Sequence, residues 1–338
     1  MNPAERAQIG KTRLAVTRLG LGTAPLGGLF EAVDEARAYA VGERAFNAGI
    51  RSFDTAPLYG YGTAERRVGH ILRQHPRRDV VLASKVGRLL RAGAPPDETQ
   101  YYHGEPFYKD TPPLNPVFDF SYDGVMRSLE ESLDRLGLDR IDMLHIHDPD
   151  AHFEEALAGA YRALDRLRSE GTIGAVGAGM NQAEMLVRFA HDANFDCFLL
   201  AGRYTLLDQV GLVELLPLCA TKNISVVIGG VYNSGILANP HPGATYNYIP
   251  ADAAVLRKAQ RLEAVCARHE VPLKAAALQF PLGHPAVASV LIGCRSVAEI
   301  DENLRMFRHD IPRALWDELR TEHLIPEDAP VPGEQPKQ

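Results

Sequence analysis

The amino-acid sequence predicts an α/β fold, a (β/α)8 barrel with long loops at the C-terminal ends of its strands. Three observations carry that prediction. Eight short aliphatic runs recur along the 338 residues, and longer helical patterns alternate with them, as in a parallel sheet covered by helices. The count and the chain length suit closure into a barrel. The first strand–helix turn, "GLGTAPLGGLF", lacks the G-x-G-x-x-G spacing that an open dinucleotide-binding sheet would need.

The strands are read, in order, at "RLGLGT" (18–23), "IRSFD" (50–54), "VVLASK" (80–85), "IDMLHIH" (141–147), "IGAVGA" (173–178), "FDCFLL" (195–200), "ISVVIG" (224–229) and "VASVLI" (287–292). The stretch "DEARAYAVGERAFNAG" (34–49) reads as the first helix. In "YDGVMRSLEESLDRLG" (122–137), Val125, Leu129, Leu133 and Leu136 recur at helical spacing and Gly137 is the stop. Two segments break the rhythm. Residues 91–120 are too long for an ordinary connector and hold Tyr101, Tyr102, Phe107, Tyr108 and Phe118; residues 232–250 form a second long loop. Both have the length of lids or binding elements. One barrel domain is expected over residues 1–325, with a Pro-rich, disordered tail over 326–338.

Composition narrows the function classes. The charge of −7 is spread along the chain and no basic run occurs, which argues against nucleic acid as a partner. No run approaches 18 apolar residues, and the N-terminus has no signal-like apolar segment, so no membrane partner is expected. Cys197, Cys219, Cys266 and Cys294 are far apart and form no C-x-x-C pair, which fits a reducing compartment. A cytoplasmic, soluble protein acting on a small molecule is expected; its oligomeric state is left open.

At the strand ends the polar residues are Asp54, Lys85 and His147, with Tyr59 in the loop beyond Asp54. In a barrel these gather at one mouth. A buried lysine needs a partner, and Asp54 on the neighbouring strand can supply it. A charged Lys85 beside Tyr59 is expected to lower the phenol's pKa from about 10, so that it can exchange a proton with an oxygen. Each residue alone has a bland reading as loop acid, strand-end lysine or loop tyrosine; the four together favour chemistry. Because "HIH" puts His145 and His147 on one face, a barrel zinc site is the competing reading, but no further ligand set follows and metal is not expected. His145 is read as a satisfied core histidine. Asp148 is read evenly as a loop acid or a ligand to a substrate.

The stretches "GIRSFDTAPLYGYGTAERRVG" (49–69), "LASKVG" (82–87) and "IDMLHIHDP" (141–149) closely resemble the aldo-keto reductases, and the likeness runs from "LGLGTAPLG" to "LIGCRSVAEIDENL" (291–304). The resemblance implies a barrel that binds NAD(P) and a tetrad in which Tyr59 is general acid/base, Lys85 and Asp54 tune it, and His147 orients the substrate oxygen. It implies cofactor contacts at Gly22, Thr23, Ala24, Asp54, Gly229, Gly230, Asn233, Ser234, Gly235 and Leu237. Gly293, Arg295, Ser296, Glu302 and Asn303 would clamp the adenosine end. The match is looser elsewhere. Gly179 and Met180 stand where the family commonly has Ser-Asn, and Ala201 stands for its glutamine, leaving Asn181 or Arg203 to compensate. Arg295 suits a 2′-phosphate, whereas Glu299 would repel one, giving a slight lean to NAD over NADP.

These departures, with "SKVGRLL" and "GGVYNSGIL", resemble the branch of L-fucose, D-threo-aldose (D-arabinose) and related aldose 1-dehydrogenases and pyridoxal 4-dehydrogenase. That resemblance implies oxidation of a hemiacetal carbon to a lactone, with Tyr59, His147 and Asp148 meeting the substrate; as a ligand, Asp148 would take a sugar hydroxyl. The substrate expected is an aldose such as L-fucose or D-arabinose; the alternatives are a pyridoxal 4-dehydrogenase forming 4-pyridoxolactone, an NADPH-dependent aldehyde or ketone reductase and, in a different class, a non-catalytic cofactor-sensing subunit.

Overall fold

The computed structural model describes residues 1–334; residues 335–338, part of the expected tail, lie outside the described residues. Eight parallel strands close into a barrel: β1 (Leu19–Gly22), β2 (Ser52–Asp54), β3 (Val81–Val86), β4 (Met143–His147), β5 (Ala175–Met180), β6 (Cys197–Ala201), β7 (Ser225–Gly229) and β8 (Val287–Gly293). Neighbours in sequence are neighbours in the sheet, and β8 returns to β1 through Gly293 opposite Gly22. Each lies within about two residues of the run that predicted it.

Period-two alternation divides the strands' side chains between two cores. Leu82, Leu144, Ile146, Val176 and Val226 face outward into the large apolar layer under the helices. Val81, Ala83, Met143, Ala175, Leu199 and Val227 fill the barrel's inside. Ile9 and Val16, from an N-terminal hairpin of Arg6–Gln8 and Ala15–Thr17, join that inner cluster. The hairpin plugs the bottom, so the polar interior residues can open only at the top.

Local signals set the helix ends. Helix α1 (Glu35–Asn47) starts where the Asp34 carboxylate accepts from the Arg37 amide at 2.8 Å. Helix α2 spans Thr63–Leu72. Helix α3 (Tyr122–Leu136) is capped by Ser121, which accepts from the Gly124 amide at 3.0 Å, and stops at left-handed Gly137. Behind the barrel wall, Glu65 of α2 is fully buried, pairs with Arg135 of α3 at 2.6 Å and accepts from Ser84 of β3 at 3.2 Å. Glu65→Ala is expected to cost about 3–5 kcal/mol, because the guanidinium loses its buried partner. Urea denaturation of the two proteins checks this, with Glu65→Gln intermediate.

The two irregular segments take defined shapes. In the first, Arg88–Arg91 pairs antiparallel with Asn115–Phe118, and Tyr101–Tyr102 pairs with Glu105–Pro106. In the second, Thr245–Tyr246 pairs with Ile249–Pro250, and the Tyr246 hydroxyl donates to Asp208 at 2.8 Å. They meet above the barrel, where the rings of Phe107 and Tyr248 are 5.7 Å apart and Phe30 touches both.

The segment after Ile325 departs from the expected disorder as far as Glu334. Ala329 and Val331 are buried, and Arg320 donates to the Ala329 carbonyl and to Glu334, at 2.7 Å each. Two small apolar side chains and one arginine seat a segment whose prolines alone suggested a free tail.

Candidate active site

The alternation that builds the inner core also brings its polar residues to one level. On β3, Val81 and Ala83 point inward, so Lys85 does too; on β4, Met143, His145 and His147 follow the same rule. Asp54 ends β2 beside them. Lys85 Nζ donates to Asp54 Oδ1 at 2.6 Å and to the Thr55 carbonyl at 2.9 Å. Only 1% of the Lys85 side chain and 6% of that of Asp54 are exposed, so the ion pair lies out of water. The Tyr59 ring stands over it, with Lys85 Nζ 4.6 Å from the ring centroid and the His147 ring at 6.0 Å, edge-on. The turn that delivers Tyr59 needs glycine next. Gly60 has φ +60, and a Cβ there would lie 2.1 Å from the Gly27 carbonyl oxygen.

Electrostatics at this site depart from expectation. The lysine was expected to lower the Tyr59 pKa. Instead burial pushes the phenol well above its ordinary value, and the Asp54 charge pushes the same way. At 2.6 Å the Asp54 carboxylate cancels most of the lysine's field, so loss of water decides the sign. Burial also raises the Asp54 carboxyl, with Lys85 opposing it. Burial holds His147 well below its usual range, with Arg88 and Lys85 adding to the effect, so the ring is neutral at pH 7. His145 is pushed down to about 3 by burial and by Lys85. Its ring lies against β5, where a Cβ on Gly177 would be 2.2 Å from Nδ1. It is buried as a core histidine is, but the satisfied histidine that was expected is not found, since neither ring nitrogen has a hydrogen-bond partner among the described residues. Among the described residues no group of three or more His, Cys, Asp or Glu side chains is arranged to hold a metal ion.

A cleft of about 550 Å³ opens above the tetrad, lined by Tyr59, Lys85, His147 and Asp148 among others. That volume lies within the roughly 300–1,000 Å³ usual for a small-molecule pocket. Gly179, Met180, Asn181, Leu199 and Ala201 line its other side, and Gly229 lies next to Ala201 on β7. A Cβ on Gly179 would lie 3.4 Å from Leu199 Cβ and 3.8 Å from Lys85 Cε, in ordinary contact and within the cleft. The small residues therefore keep open a flat space beside Lys85, and this fits a nicotinamide ring. Leu29, Leu58, Phe107, Tyr108, Phe118 and Tyr248 give the cleft its apolar face.

The other residues assigned to the cofactor fall into three groups. Gly22, Ala24 and Gly293 are at the top of β1 and β8, and Thr23 donates through both its amide and its hydroxyl to the Asp54 carbonyl at 2.9 Å. Gly230, Asn233, Ser234 and Gly235 all have positive φ and turn the chain after β7, over buried Leu237. Asn233 ties that turn to Gly202 and Thr205, and Ser234 Oγ accepts from the Tyr248 amide. At the start of the helix Val297–Arg308, Ser296 Oγ accepts from the Glu299 amide at 3.2 Å. Glu299 in turn accepts from the Arg295 amide at 2.7 Å. Glu299 is thus a cap as well as a charge. Arg295 donates to the Leu29 carbonyl at 2.9 Å. Glu302 pairs with Lys274 at 2.6 Å, and Asn303 accepts from the Tyr232 hydroxyl at 2.5 Å. Arg203 is bonded to Asn247 of the second lid at 2.9 Å and does not line the cleft, so of the two candidates to compensate for Ala201 only Asn181 faces it.

Sequence reasoning missed Arg88, Tyr248 and His152, which also line the cleft. Arg88 carried a usable signal, a cation three residues past Lys85 at the foot of the long loop. Asp148, read evenly before, lines the cleft and is pushed up to about 6 by burial, with Arg88 opposing.

Residues 18–321 match the family described as "Aldo/keto reductase family". The chain is 44% identical to a pyridoxal 4-dehydrogenase of Microbacterium luteolum, over 96% of this chain and 99% of that one. It is 40% identical to a D-threo-aldose 1-dehydrogenase of a Pseudomonas species, over 93% and 96%. Among solved structures, the holo form of an aldo-keto reductase of Bacillus halodurans superposes with a TM-score of 0.74 at 23% identity, over 94% and 95%, a likeness of fold.

Proposed function

The chain belongs to the aldo/keto reductase family and is an NAD(P)-dependent oxidoreductase; from that premise we propose that it oxidises the hemiacetal carbon of a cyclic substrate to a lactone. The substrate is an aldose such as L-fucose or D-arabinose, or pyridoxal in its hemiacetal form. The two relatives above take their names from pyridoxal and from D-threo-aldoses. A ring hemiacetal is the group these substrates share.

The observation that carries the reading is the buried Lys85–Asp54 ion pair under the ring of Tyr59 at the floor of an open cleft. A nicotinamide cofactor held beside Gly179, Asn181 and Ala201 would supply the acceptor for the hydride that leaves the hemiacetal carbon. Tyr59 takes the proton of the anomeric hydroxyl, and the carbon–oxygen double bond of the lactone forms. Neutral His147 offers one N–H donor and one acceptor to orient that oxygen. Asp148 accepts a bond from a neighbouring hydroxyl. Lys85, fixed by Asp54, keeps a positive charge near the phenolate that the reaction needs.

NAD is the better-fitting cofactor. The Arg295 guanidinium is already bonded to Leu29, and the Glu299 carboxylate at the adjoining helix start opposes a 2′-phosphate. Glu299→Gln keeps the capping geometry and removes the charge. It is expected to raise kcat/KM with NADP+ relative to NAD+ by about tenfold, read from initial rates with each cofactor.

One observation favours a second reading, reduction of an aldehyde or ketone. A Tyr59 phenol held protonated by burial is a ready acid, which reduction requires. Rates in both directions between pH 6 and 10 separate the two. The test of the main reading is a panel of L-fucose, D-arabinose, L-galactose and pyridoxal with NAD+ and NADP+. Formation of reduced cofactor together with lactone is expected. Turnover only in the reductive direction would overturn the reading, as would none at all.

A further inference from the structure

Arg88 opens the strand Arg88–Arg91 that leads from β3 into the first lid, and its side chain is only 5% exposed. One terminal nitrogen donates to Asp97 Oδ2 and the other to Asp148 Oδ2, each at 3.2 Å. The guanidinium lies 4.5 Å over the Phe118 ring, and its Nε is buried with no hydrogen-bond partner among the described residues. A single cation thus joins both ends of the lid, at Asp97 and Phe118, to the residue following His147. Asp148 sits at φ +42 with its amide donating to the Gly179 carbonyl at 3.0 Å, so its backbone is pinned to the sheet and Arg88 sets its side chain. His147 Nε2 lies 3.5 Å from the same oxygen that Arg88 holds, and Asp148, which lines the cleft, keeps Oδ1 without a hydrogen bond among the described residues.

We propose that Arg88 is a positioning residue for substrate specificity: by holding Asp148 Oδ2 it presents Oδ1 to a hydroxyl beside the reacting carbon, and by holding Asp97 it makes that presentation depend on the seated lid. The proposal rests on the hemiacetal reading of the site. One guanidinium between two carboxylates leaves the cluster net negative, which suits a neutral hydroxyl donor and opposes an anionic substituent.

The groups facing Asp148 come from every side: His147 and Asp150 on its own loop, Lys85 and Arg88 from β3 and its extension, Tyr59 below, and Tyr108 and Tyr248 from the lids. Arg88 and Lys85 stabilise the carboxylate, while burial and Asp150 oppose it. Removing Arg88 therefore moves the Asp148 titration upward.

The test pairs a binding-independent readout with kinetics. Carbon-13 carboxyl NMR, with the Asp148 resonance assigned through Asp148→Asn, is expected to give a midpoint near 6 in the wild type. In Arg88→Gln the midpoint is expected to rise by about one pH unit. With a hydroxylated sugar at pH 7, KM rises about tenfold in that variant while kcat changes less than about threefold; with the 2-deoxy sugar KM is unchanged. Arg88→Lys keeps the charge and loses the two-pronged geometry, so KM rises with little change in midpoint, and this variant carries the test if the glutamine protein does not fold. An unmoved midpoint in Arg88→Gln would overturn the proposal, as would equal losses on sugar and deoxy sugar, or a fall in kcat alone. Wild-type protein inert toward the whole panel would overturn the functional reading and this one with it. A wild type active on sugars beside an indifferent Arg88→Gln would overturn this one alone.

Discussion

Tyr59→Phe is expected to lower kcat by about 10²–10⁴-fold, the range a positioned acid–base group supplies. The ring keeps its packing against Tyr108, 6.3 Å away, and only the hydroxyl is lost, so reduced-cofactor binding followed by fluorescence changes little. The pH dependence has a definite sign. Burial holds the Tyr59 phenol well above its ordinary value, so the phenolate that accepts a proton becomes more abundant as pH rises. Oxidation by the wild type is therefore expected to accelerate from neutral into alkaline pH. Reduction, which needs the phenol, is fast at neutral pH and slows at the alkaline end. The variant should show neither limb.

Lys85→Met is expected to affect both activity and stability. The ammonium is almost fully buried and meets Asp54 Oδ1 at 2.6 Å, while Asp54 Oδ2 has no hydrogen-bond partner among the described residues. Without Lys85 the carboxylate has no cation in contact, and removing one member of such a pair costs about 3–5 kcal/mol. The carboxyl escapes part of this by taking up a proton. Burial already raises the Asp54 pKa, and losing Lys85 raises it further, so the folded variant binds a proton more readily than the unfolded chain does. Its stability is accordingly greatest below the unfolded carboxyl's pKa and is lost as pH rises through the folded value. Urea midpoints at pH 5 and pH 8 check that slope. A Lys85→Met/Asp54→Leu double variant is expected to recover most of the stability and none of the turnover, which separates the ion pair's two roles.

The strands were legible because a parallel barrel buries both faces, and its strands therefore read as unbroken aliphatic runs such as "VVLA" and "SVVIG". The tetrad was legible in part for the same reason, since a charged residue ending such a run is conspicuous. What the sequence hid depends on partners distant along the chain. Arg88 draws its meaning from Asp97 and Asp148, nine and sixty residues away, and no local periodicity links them. The shift at Tyr59 was misjudged because one neighbour's charge is visible in a sequence while the loss of water around a phenol is not. Glu299 was read only as a charge facing a phosphate, although Ser296 three residues earlier is an ordinary signature of a helix start. The prolines after Ile325 masked Ala329 and Val331, which join the large apolar core where the Pro330–Val331 backbone runs close against Gly283.

One labelling experiment bears most directly on the central claim, that Tyr59 over the Lys85–Asp54 pair removes a proton while hydride leaves the hemiacetal carbon. A sugar carrying deuterium at its anomeric carbon is incubated with NAD+ and the protein, and the nicotinamide product is weighed by mass spectrometry. One deuterium in each reduced cofactor and an equal amount of lactone are predicted, with both forming about 10²–10⁴-fold more slowly in Tyr59→Phe. Reduced cofactor without deuterium, or transfer by the phenylalanine variant at the wild-type rate, would contradict that claim.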